Sequence, residues 1–314
     1  MIRLLKIIGR LLFTLVCIVL VFLSTTAIYH HVSLGSERNA IDPNGMLVEV
    51  DGRKIHVYAE GQKDNKPTLV FMSGSATVAP VYDFKSLYSL LSDEYRIAVV
   101  EKAGYGYSEI CEAERDISTM LSEVRQGLSL AGEKAPYILF PHSMSGLEAI
   151  YWAQQYPEEV MAIVGLDMAV PESYEHFNFS SIYQLMYIGR ATAWLGLHRL
   201  PGVYSLNETA LTEQEIEQQR LLMYKNAVNI DYVLEGKSVY NNAKTVSSGG
   251  AIDIPILMFI SDGKEIGDFW IPCQERFAAQ NAAQLIQLNC GHYIHHYEHE
   301  YIAEKTLEYL STLQ

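Results

Sequence analysis

Tyr137-Ile-Leu-Phe140 runs into Pro141-His142-Ser143-Met144-Ser145-Gly146 and then into Leu147-Glu-Ala-Ile-Tyr-Trp-Ala153. An apolar tetrad, a turn of small residues and an amphipathic run read as strand, sharp turn and helix. A serine at such a turn holds its hydroxyl above the strand end. It also sits at a helix N-terminus, whose partial positive charge favours a developing anion. The backbone N–H of Met144 then points where an oxyanion would form. Ser143 is therefore a candidate nucleophile, and a plain helix N-cap is the alternative for the same residue.

The same alternation extends in both directions. Short apolar strands are expected at 68–72, 96–100, 137–140, 162–166, 256–260 and 284–288. Helices are expected at 81–92, 115–131, 145–156, 272–281 and 299–313. Strands that are apolar throughout and separated by helices imply an α/β fold, a mostly parallel central sheet with helices on both faces. Ahead of them, Asp51-Gly52 between Met46–Val50 and Lys54–Tyr58 reads as a hairpin turn. Residues 171–250 break the rhythm with helical stretches, Thr212-Glu-Gln-Glu215 opening one of them as a capping box. The expected organisation is a core over 46–170 and 251–314 with a helical cap inserted at 171–250.

Ligands of such sheets bind at the carboxyl ends of the strands. Past the 68–72 strand, Ser73-Gly74-Ser75-Ala76 can turn a second N–H, near Ser75, toward an oxyanion. Past the last strand, Asn289-Cys290-Gly291-His292 offers an imidazole able to reach a serine across the sheet. Three acids compete to orient it: Asp167 after one strand, and Asp262 and Glu265 after the next. A capping role is the alternative for the two aspartates, and a solvated loop charge for Glu265. His295, His296 and His299 follow closely, but no Cys, Asp or Glu of the sequence is placed to complete a tight metal site, so no metal is expected.

The N-terminus carries Leu11–Tyr29, an uncharged run that would span about 28 Å as a helix. Arg3, Lys6 and Arg10 precede it and no Lys or Arg follows until Arg38, which orients the rest of the chain to the non-cytoplasmic side. Residues 1–30 are read as a membrane anchor and 31–45 as a polar linker. A cleaved signal peptide is the alternative reading. The chain has 314 residues and a net charge of −14, a balance that argues against nucleic acid as a partner. Its four cysteines are too few for a disulfide scaffold, although Cys273 and Cys290 could pair in an oxidising compartment.

Taken together these pieces resemble the α/β-hydrolase superfamily over residues 46–314. The resemblance is carried by Tyr95–Ser108, where a strand ends in Glu101 and is followed by Gly104-Tyr-Gly106-Tyr-Ser108, and by the order of the Ser73-Gly74 loop, the Ser143 turn, the helical insertion and Gly291-His292. Three positions depart from the pattern: Pro141 and Ser145 replace glycines of the usual Gly-x-Ser-x-Gly-Gly turn, and Ser73 replaces a histidine. Lys264 stands where the usual acid would be, and Leu166-Asp167-Met-Ala-Val-Pro171 is similar to the version that takes its acid one strand earlier. The resemblance implies a serine hydrolase acting on a carboxylic ester, which the N-terminal apolar run would anchor in a membrane. Its residues would be Ser143, His292 and Asp167, with Asp262 as the alternative acid, and the N–H groups of Ser75 and Met144 as oxyanion donors. No cofactor is implied. Three other readings share the fold, of which a dehalogenase would need an aspartate nucleophile where Ser143 stands. An aminopeptidase would grip a free amine with cap acids such as Glu172, Glu175, Glu213, Glu215 or Glu217, and a catalytically silent binding protein would need neither.

Overall fold

The computed structural model describes residues 2–63, 66–204 and 206–313. Its strands are β1 (Met46–Val50), β2 (Arg53–Glu60), β3 (Thr68–Met72), β4 (Ile97–Glu101), β5 (Tyr137–Pro141), β6 (Val160–Leu166), β7 (Ile256–Ile260) and β8 (Gln284–Gln287). They form one sheet in the order β1-β2-β4-β3-β5-β6-β7-β8. The β1–β2 and β2–β4 pairs are antiparallel and all later pairs are parallel. At the β1–β2 turn Asp51 and Gly52 take φ of 50° and 76°, the left-handed conformation that an Asp-Gly pair supplies at little cost.

The helices are α1 (Ile2–Glu37), α2 (Pro80–Asp83), α3 (Lys85–Tyr88), α4 (Ile117–Leu130), α5 (Gly146–Gln155), α6 (Phe179–Trp194), α7 (Glu213–Asn226), α8 (Ile230–Ser248), α9 (Trp270–Gln280), α10 (Ile294–Tyr297) and α11 (His299–Ser311). Both faces of the sheet are buried, and successive strand residues feed opposite cores. Val70, Val100 and Leu139 pack with Leu121, Ile150 and Phe277 from α4, α5 and α9. Leu69, Val99 and Ile138 pack with Leu87 and Ile302 from α3 and α11. This two-sided burial is why the strands are apolar throughout rather than alternating.

Residues 171–250 hold α6, α7 and α8 and, among the described residues, no strand. Thr212 and Glu215 form the expected capping box, and Asn229 caps α8 through the N–H groups of Asp231 and Tyr232. Two expectations are corrected. The 81–92 helix is two single turns, α2 and α3, joined at Phe84 (φ −90°, ψ −3°). The 31–45 linker is, for its first part, the end of α1, which runs unbroken to Glu37 and then into a 3-10 turn at Arg38–Ala40. The reason is docking. Arg199, on a 3-10 turn at Leu197–Arg199, donates from Nε to His30 Nδ1 (2.7 Å) and from its two terminal nitrogens to the Glu37 carboxylate (2.8 and 2.6 Å). At Gly196 (φ +76°) any side chain would meet the Cβ of His30 at 2.6 Å, so α1 lies directly on that backbone.

The α1 helix is 36 residues long, about 54 Å at 1.5 Å per residue, and its apolar side chains up to Tyr29 are largely exposed. All four cysteines are free thiols, so Cys273 and Cys290 are not paired.

Candidate active site

Ser143 follows β5 and His142, and opens a 3-10 turn that runs into α5. Its φ of 53° is a left-handed conformation that a non-glycine residue adopts only when its surroundings hold it there. Those surroundings are identifiable. The Ser143 carbonyl accepts from the Ala169 N–H (2.7 Å), and the Ser145 hydroxyl lies 2.7 Å from the Met72 carbonyl and 2.9 Å from that of His142. Ser145 thus ties the turn to the end of β3, a bond that the glycine it replaces could not make. The glycine that is retained, Gly146, is needed for space: a Cβ there would meet the Ala169 carbonyl oxygen at 2.2 Å.

The Ser73–Ala76 loop packs against this turn. A Cβ on Gly74 would sit 2.8 Å from the Ser143 Cβ and 3.1 Å from His142 Nδ1, so only glycine permits the approach. The Ala76 N–H (φ 58° at that residue) donates to the Tyr105 hydroxyl at 3.2 Å, which holds the loop beside Ser75. Ser75, Ser143 and Met144 line one cavity of about 450 Å³. The inserted helices and α9 supply much of its wall, including Ile182, Met186, Tyr232, Val239 and Trp270.

Asp167 caps β6 with φ of 46° and is fully buried. Its Oδ2 lies 2.6 Å from His292 Nδ1. Its Oδ1 accepts from the Ser261 N–H (2.9 Å), the Trp270 indole (2.8 Å) and the Gln274 amide (3.1 Å). Burial alone would raise the Asp167 pKa. The hydrogen bond and charge of His292, with the Ser261 and Trp270 donors, outweigh burial and hold the carboxyl below its ordinary range.

His292 is nearly buried, edge-on to Trp270 (5.6 Å between ring centres) and 4.8 Å from the ring of His142, the residue next to Ser143. Its backbone N–H donates to Glu265 Oε2 at 2.9 Å. A Cβ on Gly291 would lie 2.4 Å from Glu265 Oε1, so the glycine before His292 lets the acid in. Asp262 turns elsewhere, with its carboxylate 2.6 Å from Lys264 Nζ. The structure therefore brings Asp167 to the imidazole, Glu265 to its backbone, and Asp262 to a lysine.

Several contributors carry no mark in the sequence. Trp270 and Gln274 hold Asp167 from the first turns of α9, and only their distance from β6 in the fold, not in the chain, makes that possible. Lys102, fully buried, contacts Glu148 of α5 (2.7 Å) and Glu235 of α8 (2.5 Å), and Glu235 also receives the Tyr105 hydroxyl. Burial raises the Glu148 pKa despite the lysine. This cluster links the inserted α8 to the core and, through Tyr105, to the Ser75–Ala76 loop. His142 is buried between the rings of His292 and His295, and burial with those two neighbours pushes its pKa well down, so it stays neutral.

The tail histidines also required the fold to be understood. Asp83, 212 residues before His295, places Oδ2 and Oδ1 each 2.9 Å from Nε2 of His295 and His296. The expectation that no acid stands near these histidines is thus corrected. His299 is not part of this group. Of the cap acids, Glu172 pairs with Arg276, Glu215 with Lys85 and Glu217 with Arg220. None of these three, nor Glu175 or Glu213, lines the cavity over Ser143.

No protein-family profile matches the chain. It is 37% identical over 318 residues to the uncharacterized protein YbdG of Bacillus subtilis, covering 97% of each chain. Among solved structures it is similar to the enol-lactonase from Burkholderia xenovorans (TM-score 0.63, 16% identity, 85% of this chain and 100% of that one). It is also similar to a loop variant of the haloalkane dehalogenase DbeA from Bradyrhizobium elkanii (TM-score 0.62, 15% identity, 85% of this chain and 96% of that one).

Proposed function

This chain belongs to the α/β-hydrolase superfamily, in one family with YbdG, and from that membership we propose that it is a membrane-anchored serine hydrolase cleaving a carboxylic ester. The observation that carries the reading is a serine strained into positive φ at a cavity floor, one residue from a ring packed on His292, whose other side is hydrogen-bonded to buried Asp167 at 2.6 Å. In this reading Ser143 Oγ attacks the acyl carbon and His292 Nε2 takes its proton. Asp167 holds the Nδ1–H, fixes the tautomer and stabilises the imidazolium. The tetrahedral oxyanion is received by the N–H groups of Met144 and Ser75, each such donor being worth about 3 kcal/mol in the transition state. The imidazolium then returns its proton to the leaving alkoxide, and water repeats the sequence on the acyl-enzyme.

An ester is favoured over an aminoacyl substrate by what lines the cavity: apolar side chains predominate and no cap acid is present to hold an ammonium. A dehalogenase would need a carboxylate nucleophile where this chain has Ser143. Anchoring is supported by the apolar helix α1, and the placement of the hydrolase on the non-cytoplasmic side by Arg3, Lys6 and Arg10 ahead of it.

A fluorophosphonate probe tests the nucleophile directly. The full chain in detergent should be labelled and Ser143→Ala should not. Equal labelling of the two proteins would end the reading. A panel of short and long p-nitrophenyl esters and aminoacyl amides tests the substrate class, with ester turnover the expected outcome.

A further inference from the structure

The 16 residues of α6 carry a single charge, Arg190. At 100° per residue, Ile182, Leu185, Met186 and Gly189 fall on the side that walls the cavity over Ser143. Ile188 and Trp194 fall about 110° and 130° away from that side, on the two flanks of the outer half of the helix, where they are 59% and 62% exposed. Leu185 belongs to both surfaces: it lines the cavity and is also exposed, so it stands at the cavity's rim. Together with Tyr187, which is exposed beneath Lys237 Nζ, these residues put large apolar side chains in the open on the outer half of α6, which is uncommon on a chain surrounded only by water.

What lies against that face is indicated by α1. The ring of Trp194 is 5.3 Å from that of His31, two residues beyond the apolar run that ends at Tyr29. Next to it the His30 ring meets His198 edge-on at 4.8 Å, α1 lies on the Gly196 backbone, and Arg199 clamps Glu37. These contacts fix the C-terminal end of α6 beside the end of the apolar run of α1, which in the anchor reading is where that helix leaves the hydrocarbon layer. Tryptophan and tyrosine side chains favour that boundary.

We propose that the outer face of α6 lies in the interfacial layer of the bilayer, and that the cavity over Ser143 takes the acyl chain of a membrane lipid ester directly from that layer past Leu185. The proposal rests on the anchor and serine-hydrolase readings above, and it adds the substrate class and the route. The chemistry is unchanged: the ester C–O bond breaks, water adds to the acyl carbon, and a fatty acid and an alcohol leave.

The test uses the full chain in phosphatidylcholine proteoliposomes. Trp152 and Trp270 are buried in the core and Trp194 is exposed, so lipid carrying bromine on its acyl chains reports on Trp194 alone among the three tryptophans. The expected result is quenching of the emission that disappears in Trp194→Phe. Emission that ignores brominated lipid and is quenched by aqueous iodide would overturn the placement of α6. A second arm compares a pyrene-labelled long-chain ester embedded in the vesicles with p-nitrophenyl acetate in water. The double variant Ile188→Glu, Trp194→Glu should lose at least ten-fold on the embedded ester and keep its rate on the acetate. Equal loss on both substrates, or loss on neither, overturns delivery from the bilayer. Bromolipid quenching with hydrolysis of neither ester by the wild type supports the placement and overturns the hydrolase reading.

Discussion

The ends of β6 and β7 lie side by side in the sheet and each is followed by an aspartate, yet the two carboxylates have opposite fates. Asp167, after β6, is buried, sits at positive φ and has every oxygen engaged: three donors on Oδ1 and His292 on Oδ2. Asp262, two residues after β7, holds Lys264 with both its oxygens and leaves the imidazole alone. The difference is one of surroundings. A buried charge persists only where donors replace water, and the neighbours of β6 supply them: the Ser261 N–H from the end of β7, and Trp270 and Gln274 from α9. The end of β7 thus contributes to the site by serving the end of β6. One chain segment, Ser261–Glu265, satisfies Asp167 with its first N–H and the His292 N–H with its last carboxylate.

The sharpest way to break this contrast is Asp167→Asn. The amide keeps the shape but presents the wrong partner to Nδ1, so turnover of a p-nitrophenyl ester should fall about a thousand- to ten-thousand-fold. A loss under ten-fold would remove Asp167 from the role. The same substitution has a signature in stability. The Asp167 carboxyl is held below its ordinary value near 3.8, so its ionised form stabilises the fold. That contribution is complete above the ordinary value and is lost as pH falls through the lower, folded one. Thermal unfolding should therefore separate wild type from Asp167→Asn at pH 7, and the gap should narrow below about pH 4. A gap that widens in acid would contradict the direction of the shift.

Much of this arrangement was legible in the sequence, for physical reasons that are specific. The two-sided burial of the sheet makes every parallel strand a short apolar run, so strand positions and the Ser143 turn can be read locally. Local pattern does not choose between the acids, and only the resemblance of Leu166–Pro171 favours Asp167. Asp167 and Asp262 both follow apolar strands, and what separates them is an indole and an amide roughly a hundred residues beyond Asp167, brought near by the crossover from β7 to α9. Pro141 and Ser145 stand in the sequence as departures from the glycine pattern of the turn. In the fold Ser145 ties that turn to Met72, a bond visible only once β3 and β5 are paired. Asp83 meeting His295 and His296 was equally hidden, because α2 and α10 meet only in the fold. The polar residues of 31–45 resemble a spacer, and only the fold shows that Glu37, with His30 just ahead of the segment, partners an arginine on the inserted block.

A smaller effect sharpens the comparison from the β7 side. Glu265 is hydrogen-bonded to the backbone N–H of His292, so it positions the loop that carries the imidazole. Glu265→Ala should lower kcat about ten-fold with KM little changed, since a lost charge-assisted hydrogen bond is typically worth about 1.5–3 kcal/mol, much of which the loop can recover by bonding water. Glu265→Gln keeps an acceptor oxygen and should restore most of the rate. If Gln and Ala fall equally, the carboxylate charge matters beyond its hydrogen bond to the loop.

The smallest expected effect belongs to Asp262→Asn, and it is the one that tests the comparison most directly. The carboxylate is exposed and its pKa is lowered by the Lys264 side chain, a surface pairing that solvent screens. What Asp262 does contribute to the His292 loop is its backbone N–H, which donates to the Cys290 carbonyl at 3.0 Å and survives any side-chain change. Turnover of Asp262→Asn should therefore stay within about two-fold of wild type, and ester kinetics run beside Asp167→Asn decide the matter. If Asp262→Asn were the more damaged of the two, the acid would lie after β7. The four bonds around Asp167 would then be those of a structural carboxylate that merely passes near the ring.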